Sequence, residues 1–322
     1  MDNISLVSFP GLGIGEMTVN DTAFTVFGHD IRWYGIIIAV GIIVAFSYFA
    51  WRAKQSGIKF DTVVDLTLFT VPIGVIGARL YYVVFNGVPF KDIYKIWEGG
   101  LAIYGGIIFG AITVIVCCRV KKIKFFAFAD MIAPGVMIAQ AIGRWGNFAN
   151  GEAFGAETDI FCRMGLKNHL TGYDYVEVHP TFLYESLWNV IGFILINIFY
   201  KKRKFNGEAM FWYFGWYGLG RTFIELLRAD SLYMGSIRVS SLVGAICFAV
   251  CLPVVIIMRA RHHKLVKAGV IERSDVSDIA TLLGIKTKAK PEDHEDPDAK
   301  EEPGQTGSAE EGGMEVDDGK DN

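Results

Sequence analysis

Charge is scarce over most of this chain. Asp, Glu, Lys and Arg make up 20% of its 322 residues, against 52% hydrophobic, and the mean hydropathy is +0.34. That excludes an ordinary soluble domain, and several uncharged runs approach the ~20 residues needed to cross a ~30 Å hydrocarbon core. Cysteine is equally sparse. Cys117, Cys118, Cys162, Cys247 and Cys251 are the five, no two have CxxC spacing, and all but Cys162 lie inside apolar runs. They read as small core residues rather than a disulfide framework or metal site. A catalytic cysteine is not expected, with Cys162 the one exposed candidate. His179 has no second His, Cys or Asp at ligand spacing, which argues against a metal there. Residues 1–30 lack a basic stretch followed by an apolar one, so no cleavable signal is expected, and they read as an outer segment near a membrane surface.

The apolar runs cover about 33–51, 63–85, 99–118, 125–142, 182–200, 209–227 and 239–258. An all-α polytopic membrane protein follows, because lipid-exposed backbone must be satisfied within each segment. Lys and Arg crowd 52–59, 119–124, 201–204 and 259–267, whereas 91–98, 151–177 and 230–238 are mixed or neutral. The two kinds alternate. By the positive-inside rule this predicts seven spans, the N-terminus outside and the C-terminus cytoplasmic. Residues 1–268 form the expected membrane domain, and 269–322 a cytoplasmic linker and tail. From Pro291 onward thirteen acidic residues face only Lys300 and Lys320, so a chain of net charge −3 hides a membrane body of +8. Without aromatics, residues 291–322 cannot bury enough apolar surface and are expected to be disordered.

Polar groups enter these runs in a pattern. The run 125–142, whose only charge is Asp130, leads into GRWGNFANGEAFG at 143–155, which carries Arg144, Asn147, Asn150 and Glu152. An arginine at a helix end can simply snorkel. Residues 217–228 read YGLGRTFIELLR, in which Tyr217, Arg221, Glu225 and Arg228 share one helical face. Such a stripe can be a self-satisfied ion pair, but ionisable groups inside a span are functional-site candidates. Arg79 stands beside Tyr81 and Tyr82, roughly 9 Å inside its run. That depth permits snorkelling or binding of a headgroup phosphate. Trp33-Tyr34 suits a membrane interface, GGLAIYGGIIFG offers a GxxxG face at Gly106 and Gly110, and HPTFLYE opens the fifth run at His179. With seven spans, Tyr34, Arg79, Tyr104, Arg144, His179 and Arg221 all fall in the outer part of their helices. A single site facing the outer leaflet requires that convergence.

The 143–155 stretch resembles the signature GRxGNFxNxExxG of the prolipoprotein diacylglyceryl transferases at every specified position. HPTFLYE and YGLGRTFIELLR are similar to two further elements of that family. The resemblance implies a bacterial cell-membrane transferase. It would move the sn-1,2-diacylglyceryl group of phosphatidylglycerol to the lipobox cysteine thiol of a prolipoprotein signal peptide. A thioether forms, glycerol phosphate leaves, and lipoprotein maturation begins. It further implies that Arg144 grips the phosphate, that Asn147 and Glu152 shape the site, and that Tyr34 is functional. Arg221 would share the phosphate, and Glu225 would pair with an arginine and hold it in place. Arg79 and Arg228 complete the expected lipid-binding set. The family often has histidine where Tyr104 stands, and a phenol of pKa about 10 is a poorer base near neutrality than an imidazole of about 6.5. Tyr104 is then expected to orient substrate or donate a hydrogen bond, and the base stays open among Tyr104, Glu152 and His179. Attack falls on a glycerol carbon, so no metal or cofactor is expected, and no nucleic-acid partner; membrane lipids are. A secondary transporter would show a repeat or interrupted helices at the bilayer midplane, and no repeat is evident. A lipid-binding scaffold would need the arginines but not the Tyr, Asn and Glu together.

Overall fold

The structure is a computed structural model describing residues 4–96, 99–231, 233–235 and 237–285. The expected disorder of 291–322 lies outside the described residues.

Each apolar run becomes a helix: α1 Trp33–Gln55, α2 Phe60–Phe85, α3 Ile103–Val120, α4 Phe125–Asn150, α5 Thr181–Tyr200, α6 Glu208–Leu227 and α7 Val239–Lys267. All but α6 are long and apolar enough to cross a membrane. The aromatic-rich, glycine-rich sequence of α6, with Arg221 and Glu225, lowers its hydropathy. α1 packs on α4, α2 on α3, α4 on α5, and α6 on both α5 and α7. The α2–α3 seam is closest not at Gly110 but at Gly105, where an added Cβ would stand 2.3 Å from the Gly77 carbonyl oxygen; Gly106 and Gly110 keep ordinary contact distances. Between α5 and α6 the indoles of Trp188 and Trp216 stack at 4.3 Å, each donating to the other's backbone carbonyl at 2.8 Å. The lone charge of the 125–142 run also has a structural use. Buried Asp130 accepts from the backbone N–H of Gly207 at 2.9 Å and of Met210 at 3.0 Å, tying α4 to the start of α6. A carboxylate is favoured at a helix N-terminus.

Outside the helices the all-α expectation is amended. The body is mostly helical, but residues 4–20 and the 151–180 connection build an antiparallel sheet, with β1 Ile4–Phe9, β2 Ile14–Asn20, β5 Met164–Lys167 and β6 Val176–Val178 in the order β2-β1-β5-β6. Two hairpins, β3 Thr22–Val26 with β4 His29–Arg32 and β7 Tyr233–Met234 with β8 Ile237–Arg238, stand apart from it. Val7, Met164, Leu166 and Val178 bury the sheet's inner face against Phe182 and Phe148. Residues 273–285 fold back onto the helices. Ser277 pairs its backbone with Lys204 and Asn206, and Leu282 of a short helix α8, Ile279–Leu282, is buried with Phe205, Val255 and Met258.

Candidate active site

The apolar run of α4 ends near Ile142, but its helix continues to Asn150. Arg144 and Asn147 therefore lie on its last two turns, three residues apart and on one face. Arg144 donates from Nη1 to Asn147 Oδ1 at 3.2 Å. Asn147 Nδ2 in turn donates to Glu152 Oε1 at 3.0 Å, and Asn150 Nδ2 to the same oxygen at 3.3 Å. Glu152 can fold back because Gly151 ends the helix with φ at +62°, a left-handed conformation glycine adopts without cost. The Gly151 carbonyl is anchored to the sheet by Asn168 Nδ2 at 2.8 Å. Gly146 lets Tyr34 of α1 lie flat on α4; an added Cβ would stand 2.8 Å from Tyr34 Cδ2. Tyr34 thereby comes within electrostatic reach of Glu152 and Arg144.

The arginines meet at a residue the sequence reading quoted within HPTFLYE but assigned no role. Glu185, one turn into α5, is 3% exposed. Arg221 Nη1 donates to its Oε1 at 2.7 Å. Arg228 Nη1 approaches the same oxygen at 3.4 Å, and Arg144 Nη2 stands 2.8 Å from Oε2 as an ion pair. α4, α5 and α6 thus converge on one buried carboxylate. The available signal was a lone acid near the start of an apolar helix with no basic residue of its own element to pair with. Arg221 also binds Glu225 one turn on, at 2% exposure, and Arg228 continues to Asp230 at 2.8 and 3.0 Å. The stripe of α6 is therefore neither free nor closed on itself.

Two expected residues stand elsewhere. Arg79 is 5% exposed and its guanidinium is spent on loop carbonyls: Asp92 at 2.8 Å, Ile93 at 3.0 Å, Gly99 at 2.7 Å and Gly100 at 3.2 Å. In this structure it latches the α2–α3 connection. Tyr104, the second residue of α3, makes no side-chain hydrogen bond or ion pair with the described residues. His179 Nδ1 lies 3.3 Å from Tyr184 Oη, which is 3.5 Å from Cys162 Sγ. Burial lowers the imidazole's pKa, so His179 is neutral near pH 7 and can accept a proton.

An apolar cleft of about 360 Å³ opens between α1, α4 and α5, lined by Ile37, Val40, Ile138, Ile142, Trp145 and Ser186 among others, the last two being chain neighbours of Arg144 and Glu185. An apolar slot of this kind suits a hydrocarbon tail.

A model of the prolipoprotein diacylglyceryl transferase family matches residues 21–257. Among curated proteins, the phosphatidylglycerol–prolipoprotein diacylglyceryl transferase of Listeria welshimeri is 41% identical over 263 residues, covering 78% of this chain and 94% of the relative. A similarly named enzyme of Clostridium perfringens is 41% identical over 259 residues, covering 76% and 97%. That of Staphylococcus aureus is 40% identical over 264 residues, covering 78% and 94%.

Proposed function

The chain belongs to the prolipoprotein diacylglyceryl transferase family, and from that premise we propose how its residues carry the transfer. It is a transferase that moves a diacylglyceryl group from phosphatidylglycerol to a prolipoprotein, the first step of lipoprotein maturation. The observation that supports the site is the convergence of Arg144 and Arg221 on opposite oxygens of Glu185, whose neighbour Ser186 lines the cleft between α1, α4 and α5. The cleft takes acyl chains. Arg144 and Arg221 each keep N–H groups beyond those used on carboxylates, and these donate to the headgroup phosphate. Arg228, also on Glu185, borders the same lipid. Glu185 and Glu225 act through the arginines: they hold the guanidinium planes and do not touch the reacting atoms.

The lipobox thiolate attacks the glycerol carbon that carries the phosphate. A C–S bond forms and the C–O bond breaks, its electron pair leaving on the phosphate oxygen of glycerol phosphate. Charge gathers on that oxygen in the transition state, where fixed guanidinium groups in a dry site stabilise it most. The thiol proton goes to a base. Glu152 reaches Arg144 through Asn147, and His179 is neutral; Tyr104 lies outside this hydrogen-bonded group. Asn150 Oδ1, buried with no hydrogen-bond partner among the described residues, is an acceptor for a headgroup hydroxyl. Tyr34, laid over Gly146, closes the site on the α1 side.

The reading extends to topology. Seven spans, with α6 the seventh by its packing between α5 and α7, put the N-terminus outside a bacterial inner membrane and the C-terminus in the cytoplasm. The first residues of α1 and α5 and the last of α4 and α6 then share the outer leaflet, and every dense cluster of Lys and Arg faces the cytoplasm. On this reading residues 1–268 carry the transfer and 269–322 form a cytoplasmic extension. The test incubates purified protein with phosphatidylglycerol and a lipobox peptide and weighs the peptide. Gain of a diacylglyceryl mass on the cysteine is expected; lipid bound without peptide modification would overturn the reading.

A further inference from the structure

A second cleft, about 340 Å³, opens between α5, α6 and α7 at the end remote from Glu185. Fifteen residues of α5, about 22 Å of helix, separate Glu185 from Tyr200 in its lining, so it is not a branch of the site above. Leu195, Phe199, Trp212 and Trp216 give it apolar walls, while Arg203 and Arg259 stand at its polar end.

That end holds a surplus of positive charge. The guanidinium carbons of Arg203 and Arg52 lie 4.3 and 3.9 Å from the centre of the same Tyr200 ring. Arg259 pairs with Glu208 at 2.6 Å. Arg203 donates from Nη1 to the Tyr200 carbonyl at 3.1 Å, and its one carboxylate among the described residues is Asp130, at 3.7 Å and already engaged in capping α6. Buried Arg52 bonds Tyr48, Gln55 and Asn197 and has no carboxylate partner among the described residues. Three guanidinium groups thus share two carboxylates. Arg203 Nε, which faces Asp130 from beyond hydrogen-bond distance, and Tyr200 Oη are moreover both buried without a hydrogen-bond partner among the described residues. Unmade bonds of this kind are costly, and a cleft lined by residues left short of partners favours an acceptor that enters it.

A soluble anion would leave the tryptophan-lined walls empty, and a neutral amphiphile would leave the cation surplus unanswered. Lys201, Lys202 and Lys204 flank Arg203 in the chain, and Arg261, Lys264 and Lys267 follow Arg259, a density of cations that draws anionic lipid to a membrane surface. We infer that this cleft is a second, non-catalytic lipid site, which seats an anionic phospholipid of the leaflet opposite the reaction with its phosphate on Arg203. The inference rests on the helices being membrane spans and not on the chemistry at Glu185.

The test uses the full chain in phosphatidylcholine nanodiscs with a trace of phosphatidylserine carrying a diazirine in its acyl chain. Photolabelling is expected within residues 192–216. Arg203→Gln should cut it about five-fold, the worth of one arginine at a lipid surface. Leu195→Trp, which fills the cleft, should abolish it while transfer stays at parental rate. Arg144→Gln should leave it unchanged. Equal labelling by a phosphatidylcholine probe would make this ordinary annular lipid. Insensitivity to Arg203→Gln, loss of labelling in Arg144→Gln, or displacement of the probe by inorganic phosphate would each overturn the assignment.

Discussion

Arg221 reaches across the α5–α6 seam and donates to Glu185 at 2.7 Å, although the two are 36 residues apart in the chain. Glu185 is the anchor for Arg144 and Arg228 as well. Glu185→Gln should therefore disturb three arginines together. Leaving buried cations without their carboxylate costs about 3–5 kcal/mol. A lower melting temperature in detergent and a fall in kcat of about 100-fold or more are expected, the latter being the scale of one misplaced transition-state donor. A variant with parental kcat would remove Glu185 from the site.

Arg144→Lys preserves the charge and loses the planar fork. Lysine is a point charge and cannot hold Asn147, Glu185 and a phosphate together. Turnover should drop by about 100-fold or more, with the protein still recovered folded from membranes. Single-turnover assays on the variant check this; near-normal rates would contradict a bidentate grip on phosphate.

Much of the candidate site could be read in the sequence because Arg144, Asn147 and Glu152 sit within nine residues, and a helix end keeps them together. Arg221 and Glu225, one turn apart on a single face, were equally legible. Glu185 was not, since its partners come from other helices and no spacing rule relates residue 185 to 144 or 221. Arg79 misled for the converse reason. An arginine in an apolar run looks free for a ligand, but backbone carbonyls of 92–100 satisfy it, and a carbonyl leaves no trace in a side-chain pattern. The sheet escaped because β5 and β6 are four and three residues long and sit in a mixed-charge connection. The seven apolar runs marked the helices well, since twenty uncharged residues leave few other ways to satisfy the backbone.

Gly146→Ala tests the seat of Tyr34. The new methyl would stand 2.8 Å from the ring, well inside van der Waals contact, and Tyr34 lies at the first turn of α1, where it can swing away. Stability should change little, because the displaced ring is already more than a third exposed. Transfer should fall about as far as in Tyr34→Phe or further. Parental activity in Gly146→Ala would show that the placement of Tyr34 is immaterial.

Truncation after Lys290 removes the acidic segment and keeps residues 273–285, which pack on Lys204, Phe205 and Val255. The matched family region ends at 257, so transfer should be unchanged. Truncation after Ala268 should instead lower the melting temperature, since it strips Leu282 from a buried cluster, a loss of about 2–5 kcal/mol by analogy with large-to-small core changes. Thermal melts and initial rates on both truncations decide this; a lower kcat in the shorter deletion at equal expression would give the tail a part in turnover.

The pair on α6 separates chemistry from stability. Arg221 lies between Glu185 and Glu225, whose carboxylate binds no other cation among the described residues. Arg221→Gln leaves the buried Glu225 carboxylate uncompensated and should melt early, at a cost of about 3–5 kcal/mol, whereas Glu225→Gln leaves Arg221 paired with Glu185 and should melt less early. Their activities should differ. Glu225→Gln keeps Arg221 on Glu185 and should retain part of the turnover per folded molecule, whereas Arg221→Gln should lose it. The double variant is decisive, because contacting residues are not additive. With both charges gone, the two introduced amide side chains can hydrogen-bond to each other, and the melting temperature should recover toward the parent while activity stays lost. Were the pair only a structural ion pair, the double variant would regain turnover together with its fold, and the assignment of Arg221 to the phosphate would fail.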